Sequence, residues 1–221
     1  MKNDLILSFS HRFSKRCIDL IFSFFGLLFI FPILVVGWLA AALSTHSNGI
    51  FIQQRIGRWG KKFNVVKLRT MIDRRDFKTN VTAVSDPRIT KTGRLLRRAK
   101  IDELPQLLNV LCGQMSFVGP RPDVPGFADT LQGDNRALLE LRPGITGPAS
   151  LYFRNEERLL SEVDNPEVFN KDIIWPKKVF LNVEYLQNYS FKGDIKYIFQ
   201  TIFGGGEQCQ SAQEIKNDGL K

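Results

Sequence analysis

The chain has 221 residues, enough for one domain with a substantial core, and its 31 Lys and Arg against 22 Asp and Glu leave a net charge of +9. With 43% hydrophobic and 24% charged residues it is not a disordered chain, and three Cys with two His exclude a disulfide framework and a zinc-ligand cluster. Phe is over-used, at 18 residues, and the apolar and basic residues are both bunched, so nucleic acid, an acidic membrane surface and a phosphorylated substrate are all open as partners.

Residues 1–16 read as a basic amphipathic lead-in. Leu20–Leu43 follows as 24 residues without a charge. As a helix this run is about 36 Å long against a hydrocarbon core of about 30 Å, so on length alone it can span. Pro32 lies at its middle, removes an N–H and pushes against the carbonyl of Leu28, which predicts a break into Leu20–Phe31 and Ile33–Leu43. Lys2, Arg12, Lys15 and Arg16 precede the run, and Arg55, Arg58, Lys61 and Lys62 follow it. This balance gives no orientation by the positive-inside rule. A re-entrant helix, bending at Pro32 and returning to the same face, accommodates both flanks. A kinked single-pass anchor and a secretory signal peptide are the competing readings.

Phe51–Met71 reads as a β-hairpin turning about Gly57 and Gly60. From Gln54 to Lys100 stand 15 basic residues and three acids, an excess of 12 that exceeds the charge of the whole chain. Such a block suits anionic headgroups or a pyrophosphate, and equally a solvated basic face. Few aromatics interleave with it, which disfavours nucleic acid. Residues 72–93 look loop-like. Leu104, Leu107, Leu108 and Leu111 then recur at helical spacing, predicting a helix from near Asp102 to Gly113. Gly119-Pro120-Arg121-Pro122 and Arg142-Pro143-Gly144-Ile145-Thr146-Gly147-Pro148 are stiff loops. Ile195, Ile198, Phe199, Ile202 and Phe203 form an amphipathic stripe, read either as core or as an interfacial helix.

Asp102-Glu103 opens the predicted helix. Acids are common in a first turn, so the pair can be simple capping. Its neighbours Arg97, Arg98, Lys100 and Arg121, with no His or Cys nucleophile at hand, instead favour phosphate chemistry with a divalent metal. Gly57-Arg58-Trp59-Gly60-Lys61 lacks the spacing and the Ser/Thr of a P-loop and is set aside.

Several blocks stand in order: Lys15-Arg16-Cys17-Ile18-Asp19, the Pro-broken helix, Gln54-Arg55-Ile56-Gly57, Lys67-Leu68-Arg69-Thr70-Met71 and Asp86-Pro87-Arg88-Ile89-Thr90. Ile101-Asp102-Glu103-Leu104-Pro105-Gln106, Gly119-Pro120-Arg121-Pro122 and Arg142-Pro143-Gly144 follow them. Over roughly residues 12–203 the chain resembles the bacterial sugar transferases, the monotopic polyprenyl-phosphate phosphoglycosyl transferases, in their small catalytic-core form. It departs from the family pattern in having Phe31 before Pro32 where many members have Ser. Leu68 and Ile101 replace the usual Phe and Leu, and the match over Tyr152-Phe153-Arg154-Asn155 is loose.

The resemblance implies an enzyme that transfers a phospho-sugar from a UDP-sugar to undecaprenyl phosphate and releases UMP, the first membrane step of a bacterial surface glycoconjugate pathway. It makes Asp102 the nucleophile of a covalent aspartyl phospho-sugar intermediate and Glu103 the ligand of Mg²⁺. Arg121 becomes a nucleotide or phosphate contact, with Arg97, Lys67, Arg69 and Arg88 on the substrate side. The fold expected is α+β and mostly helical: a re-entrant membrane helix, a small β-hairpin, and interfacial amphipathic helices around a cytoplasmic catalytic core. The expected divisions are 1–48 for the lead-in and membrane helix, 49–206 for the transferase core and 207–221 for a flexible tail. The expected location is the bacterial inner membrane, on its cytoplasmic face, with both termini cytoplasmic. Membrane lipids are partners, nucleic acid is not, and a homo-oligomer is allowed. The contrary reading is a membrane-tethered basic module that binds anionic lipid or nucleic acid without catalysis.

Overall fold

A computed structural model describes residues 7–73 and 86–204, together with Ser211 and Ile215. The expectations for Arg74, Arg75, Lys78 and most of the tail lie outside the described residues. Helix α1 runs from Phe9 to Thr45 as one helix with Pro32 inside it. The predicted division at Pro32 therefore does not appear as a break between two helices. A proline removes one hydrogen bond of the ladder, and the bonds on either side carry the helix past it. Ser8 caps its start, its hydroxyl accepting from His11 N.

Strands β1 (Ile50–Ile56) and β2 (Lys62–Leu68) form the expected hairpin, antiparallel, with Gln53 opposite Val65 and Ile50 opposite Leu68. Helix α2 (Lys91–Arg98) begins in the last three residues of the segment 72–93 read as loop and runs on past it. The cap that starts it is legible in hindsight: Thr90 Oγ1 accepts from Gly93 N at 2.8 Å. The helix predicted from Asp102 also begins differently. Ile101–Glu103 is a separate 3₁₀ turn, and helix α3 spans only Gln106–Leu111. Pro105 has no N–H to give to Ile101, and the chain closes i→i−3 bonds instead, Leu104 N to Ile101 O at 3.2 Å and Leu107 N to Leu104 O at 3.1 Å.

Strand β3 (Ser116–Val118) pairs in parallel with β4 (Gly144–Thr146), so the two proline-rich loops lie side by side. Gly119 N donates to Thr146 O at 2.9 Å and Gly144 N to Pro120 O at 2.8 Å. The approach is close enough that a Cβ on Gly144 would stand 2.2 Å from Gly119 N, and one on Gly147 2.5 Å from Gly119 O. Helices α4 (Pro148–Tyr152), α5 (Glu156–Ser161), α6 (Pro166–Phe169), α7 (Trp175–Gln187) and α8 (Phe191–Phe203) follow.

The main core packs Val118, Leu131, Leu138 and Leu141 against Val179, Tyr185 and Leu186 of α7. A second core gathers Tyr152, Phe153, Leu159, Leu160 and Phe169. Two smaller clusters bind the hairpin to its neighbours: Val65 with Val110 and Met115, and Leu68 with Ala41 and Leu96. The last of these puts α1, β2 and α2 in one contact. Along α1 only a narrow strip is buried (Asp19, Ser23, Gly37, Ala41 and Thr45), while Phe22, Phe24, Phe25, Phe29, Phe31 and Val36 are exposed. Gly37 lies in that strip because the core comes close: a Cβ there would stand 2.9 Å from Leu68 Cδ1 and 3.2 Å from Ile101 Cγ2.

Candidate active site

The 3₁₀ turn before α3 delivers Asp102 and Glu103 to different surroundings, as adjacent helical residues must be. Asp102 is 9% exposed, and its Oδ1 is buried with no hydrogen-bond partner among the described residues. Burial raises its carboxyl above the ordinary aspartate range, the neighbouring Glu103 charge adds to this, and Lys67, Arg97 and Lys100 act in opposition. Glu103 is fully engaged. Lys67 Nζ, on β2, donates to its Oε1 at 2.9 Å, and the Arg121 guanidinium contacts both of its oxygens. Burial by itself would raise Glu103, but the charges of Arg121 and Lys67 overcome it and hold the carboxylate well below the usual range. Arg121 is raised in turn by Glu103, whereas burial pulls Lys67 down against the same partner.

The structure thus brings four of the predicted site residues together: Asp102, Glu103, Lys67 and Arg121. Arg97 is near enough to act on Asp102, and it is ion-paired to Glu157 on α5. Arg69 lies on the hairpin side, where Nη2 donates to Ile50 O at 3.2 Å and Nε is buried without a partner among the described residues. Arg88 forms a two-pronged pair with Asp86, Nη2 to Oδ2 at 2.7 Å, and so is held by a residue two places earlier. Gln106, 2% exposed, adds another unpartnered group, Nε2, just after Asp102-Glu103. Asp102 Oδ1 and Gln106 Nε2 are thus two buried polar atoms, four residues apart, without a partner among the described residues.

Sequence reasoning missed three members of this surround. Arg55, at the end of β1, donates to Pro122 O at 3.2 Å and holds Gln53 Oε1. Burial and the Arg121 charge together lower its pKa. Asp123 follows directly on the Gly-Pro-Arg-Pro loop, and burial pushes its carboxyl up to about 6. Glu156 on α5 pairs with Lys178 on α7 at 2.8 Å, within electrostatic reach of Arg55 and Arg121. The available signals were the position of Arg55 in the Gln-Arg-Ile-Gly block and of Asp123 beside Arg121.

The expected Mg²⁺ ligand is Glu103. As arranged here it does not fit a resident divalent ion, because both oxygens are already taken by cations. No group of three or more His, Cys, Asp or Glu side chains able to hold a metal occurs among the described residues. What the arrangement offers is a buried carboxyl with an unpartnered oxygen at Asp102, next to an Arg and a Lys, side chains of the kind that bind phosphate, both paired here with Glu103.

Comparison with known proteins gives the same direction. Residues 10–206 match the family described as bacterial sugar transferase. An uncharacterized sugar transferase of Bacillus subtilis (strain 168) is 39% identical over 188 residues, covering 85% of each chain. The UDP-glucose:undecaprenyl-phosphate glucose-1-phosphate transferase of Escherichia coli (strain K12) is 36% identical over 211 residues, 91% of this chain and 42% of that protein. The undecaprenyl-phosphate galactose phosphotransferase of Salmonella typhimurium (strain LT2) is 32% identical over 210 residues, 87% of this chain and 40% of that protein. The chain therefore spans less than half the length of the latter two relatives.

Proposed function

The chain belongs to the bacterial sugar transferase family, and from that premise we propose that it transfers a phospho-sugar from a UDP-sugar to undecaprenyl phosphate, releasing UMP, through a covalent intermediate on Asp102. The observation that carries the reading is the buried, unpartnered Oδ1 of Asp102 beside cations suited to a pyrophosphate. A carboxylate oxygen attacks the sugar-bearing phosphorus, a new O–P bond forms, and the P–O bond to the UMP phosphate breaks with its electron pair leaving on UMP. A phosphate oxygen of the lipid then attacks the same phosphorus and expels the Asp102 carboxylate. Dividing one displacement into two lets a single site serve a water-soluble donor and a lipid acceptor in turn. Lys67, Arg121 and Arg55 supply positive charge where the pyrophosphate lies, at a desolvated site where such charge is most effective.

A membrane-bound protein whose α1 lies along the core instead of crossing the bilayer suits the packing. Contacts to the core run from Lys15, bonded to Asp194, through Arg16 at Val110 and Gly37 at Leu68 to Ser44 at Thr90. That is about 44 Å of helix at 1.5 Å per residue. A helix crossing the bilayer would carry the charged core beside it into hydrocarbon. A helix dipping into one face submerges only its Phe-rich side. The contrary reading, a basic module without catalysis, loses ground because Lys67, Arg88, Arg97 and Arg121 are each matched to an acid.

The test is UMP release across a panel of UDP-sugars with undecaprenyl phosphate present, followed by exchange of labelled UMP into the UDP-sugar without lipid. Release with exchange supports the two-step route. Release without exchange removes the covalent intermediate, and no release from any donor removes the reading.

A further inference from the structure

We propose that Lys100 binds the phosphate monoester of the lipid acceptor and positions it for the second displacement. The inference rests on the phospho-sugar transfer reading. That reaction brings two anions to one carboxyl in turn, and the second needs positive charge of its own. Lys67, Arg97 and Lys100 all act on the Asp102 carboxyl. Lys67 is paired with Glu103, and Arg97 with Glu157. Lys100 is exposed and has no ion-pair partner among the described residues. It is thus the member of this trio whose charge no acid has matched.

The backbone sets Lys100 between the 3₁₀ turn and the apolar helix. Its N–H donates to Arg97 O at 3.0 Å, closing α2, and its carbonyl accepts from Glu103 N at 3.3 Å. The next residue, Ile101, packs on α1, where a Cβ on Gly37 would stand 3.2 Å from Ile101 Cγ2. Val36 and Leu39, beside Gly37, are exposed, and so is Leu95 on α2. A polyprenyl chain laid on those apolar side chains has its phosphate at the level of Lys100. Lys100 is also left-handed, at φ 57° and ψ 19°. Gly or Asn meets that conformation after a helix at less cost. A lysine held there despite the strain fits a residue whose ammonium is used. In the second step a phosphate oxygen of the lipid attacks the phosphorus. The new P–O bond forms as the bond to Asp102 breaks, and the electron pair returns to the carboxylate. No proton moves. Lys100 keeps its charge throughout and offsets the repulsion between the incoming phosphate and the phospho-sugar.

The test separates the two half-reactions in the full-length chain in neutral detergent, with undecaprenyl phosphate and a UDP-sugar active in the donor panel. Lys100→Asn suits the left-handed backbone and removes the charge; Lys100→Gly is the second variant should the first fail to fold. Either should raise the KM for undecaprenyl phosphate about tenfold or more, the worth of a hydrogen bond to a charged group. Exchange of labelled UMP without lipid should stay within about twofold, and Lys100→Arg should restore most of the lipid KM. The defect should persist from about pH 6 to 9. One that acts by raising the Asp102 carboxyl would instead fade as pH rises and that group ionises. Such fading overturns the proposal, as does exchange lost in parallel with transfer, or an unchanged lipid KM. A defect confined to vesicles containing phosphatidylglycerol makes Lys100 a headgroup contact and also overturns it. No UMP release by the wild type removes the transferase reading itself, and this assignment with it. An active wild type with an unchanged lipid KM in Lys100→Asn removes the assignment alone.

Discussion

Arg16, on α1, donates to Val110 O at 2.7 Å and to Leu111 O at 2.9 Å, so its guanidinium closes the C-terminal end of the short helix that follows Asp102-Glu103. One turn further along, Asp19 accepts from Ser116 Oγ and Phe117 N, both at 3.0 Å, and fixes the start of β3. Helix α1 and the segment from Asp102 to β3 are therefore one mechanical unit. A six-residue helix has little stability of its own and depends on such end contacts. Arg16→Met should cost about 1.5–3 kcal/mol, the worth of charge-assisted hydrogen bonds, read as a lower melting temperature in detergent and reduced UMP release.

Asp102→Asn should reduce UMP release and UMP exchange by roughly a thousandfold or more while the protein stays folded and membrane-bound. Because burial raises the Asp102 carboxyl above 3.8, the wild-type rate should fall as pH drops through a midpoint above that value, as the attacking oxygen gains a proton. Near-normal turnover by the Asn variant would assign the nucleophile elsewhere.

Asp123 gives a stability signature of opposite interest. Its carboxyl is pushed from 3.8 up to about 6 by burial. Between those values the folded chain keeps a proton that the unfolded chain has released, so this contribution is full below about pH 3.8 and is lost as pH rises towards 6. Asp123→Asn removes that loss. The variant should be more stable than wild type near pH 7 by about 1–3 kcal/mol, and melting curves of the two should converge near pH 4.

Lys15, Asp194 and Tyr185 join α1 to α8 and α7. Lys15 donates to Asp194 at 2.6 Å and to Tyr185 Oη at 3.3 Å, and Tyr185 donates to Asp194 Oδ1 at 2.7 Å. The ion pair is 11% and 8% exposed. Asp194→Leu alone strands the Lys15 charge and should cost about 3–5 kcal/mol; adding Lys15→Met should recover most of it. A double variant no more stable than the single would show that the joint is not an ion-pair effect.

For topology, Asn3→Cys in a chain without its own cysteines should be protected from an impermeant maleimide in intact cells, as both ends of a helix that does not cross the bilayer share one face. Labelling from outside would establish a spanning α1.

Much of this arrangement is legible in the chain because the signals are local. An uncharged run of 24 residues, a hairpin about Gly57 and Gly60, and Asp102-Glu103 before a leucine stripe are all set by near neighbours. The parts that were missed depend on distance. Arg97 meets Glu157 across 60 residues, and Lys67 meets Glu103 across 36, so no spacing rule announces which cations are already taken. Helix α2 escaped notice for another reason. Its basic sequence lacks a long apolar stripe, and only the Thr90 cap and its packing of Leu96 under α1 mark it as helix. The altered start of α3 follows from one missing N–H at Pro105, a detail that periodicity does not register.

The seam where Gly119 meets Gly144 and Gly147 has a consequence for how this protein can vary. With no room for a single methyl group on either side, the Arg121 loop is cast against a segment more than twenty residues later, and neither can drift without the other. The excursion between them is pinned at both ends, yet around Gly133 it has open space beside it. A short epitope inserted at Gly133 should accordingly leave Arg121 in its place beside Glu103, read as an unchanged melting temperature in detergent.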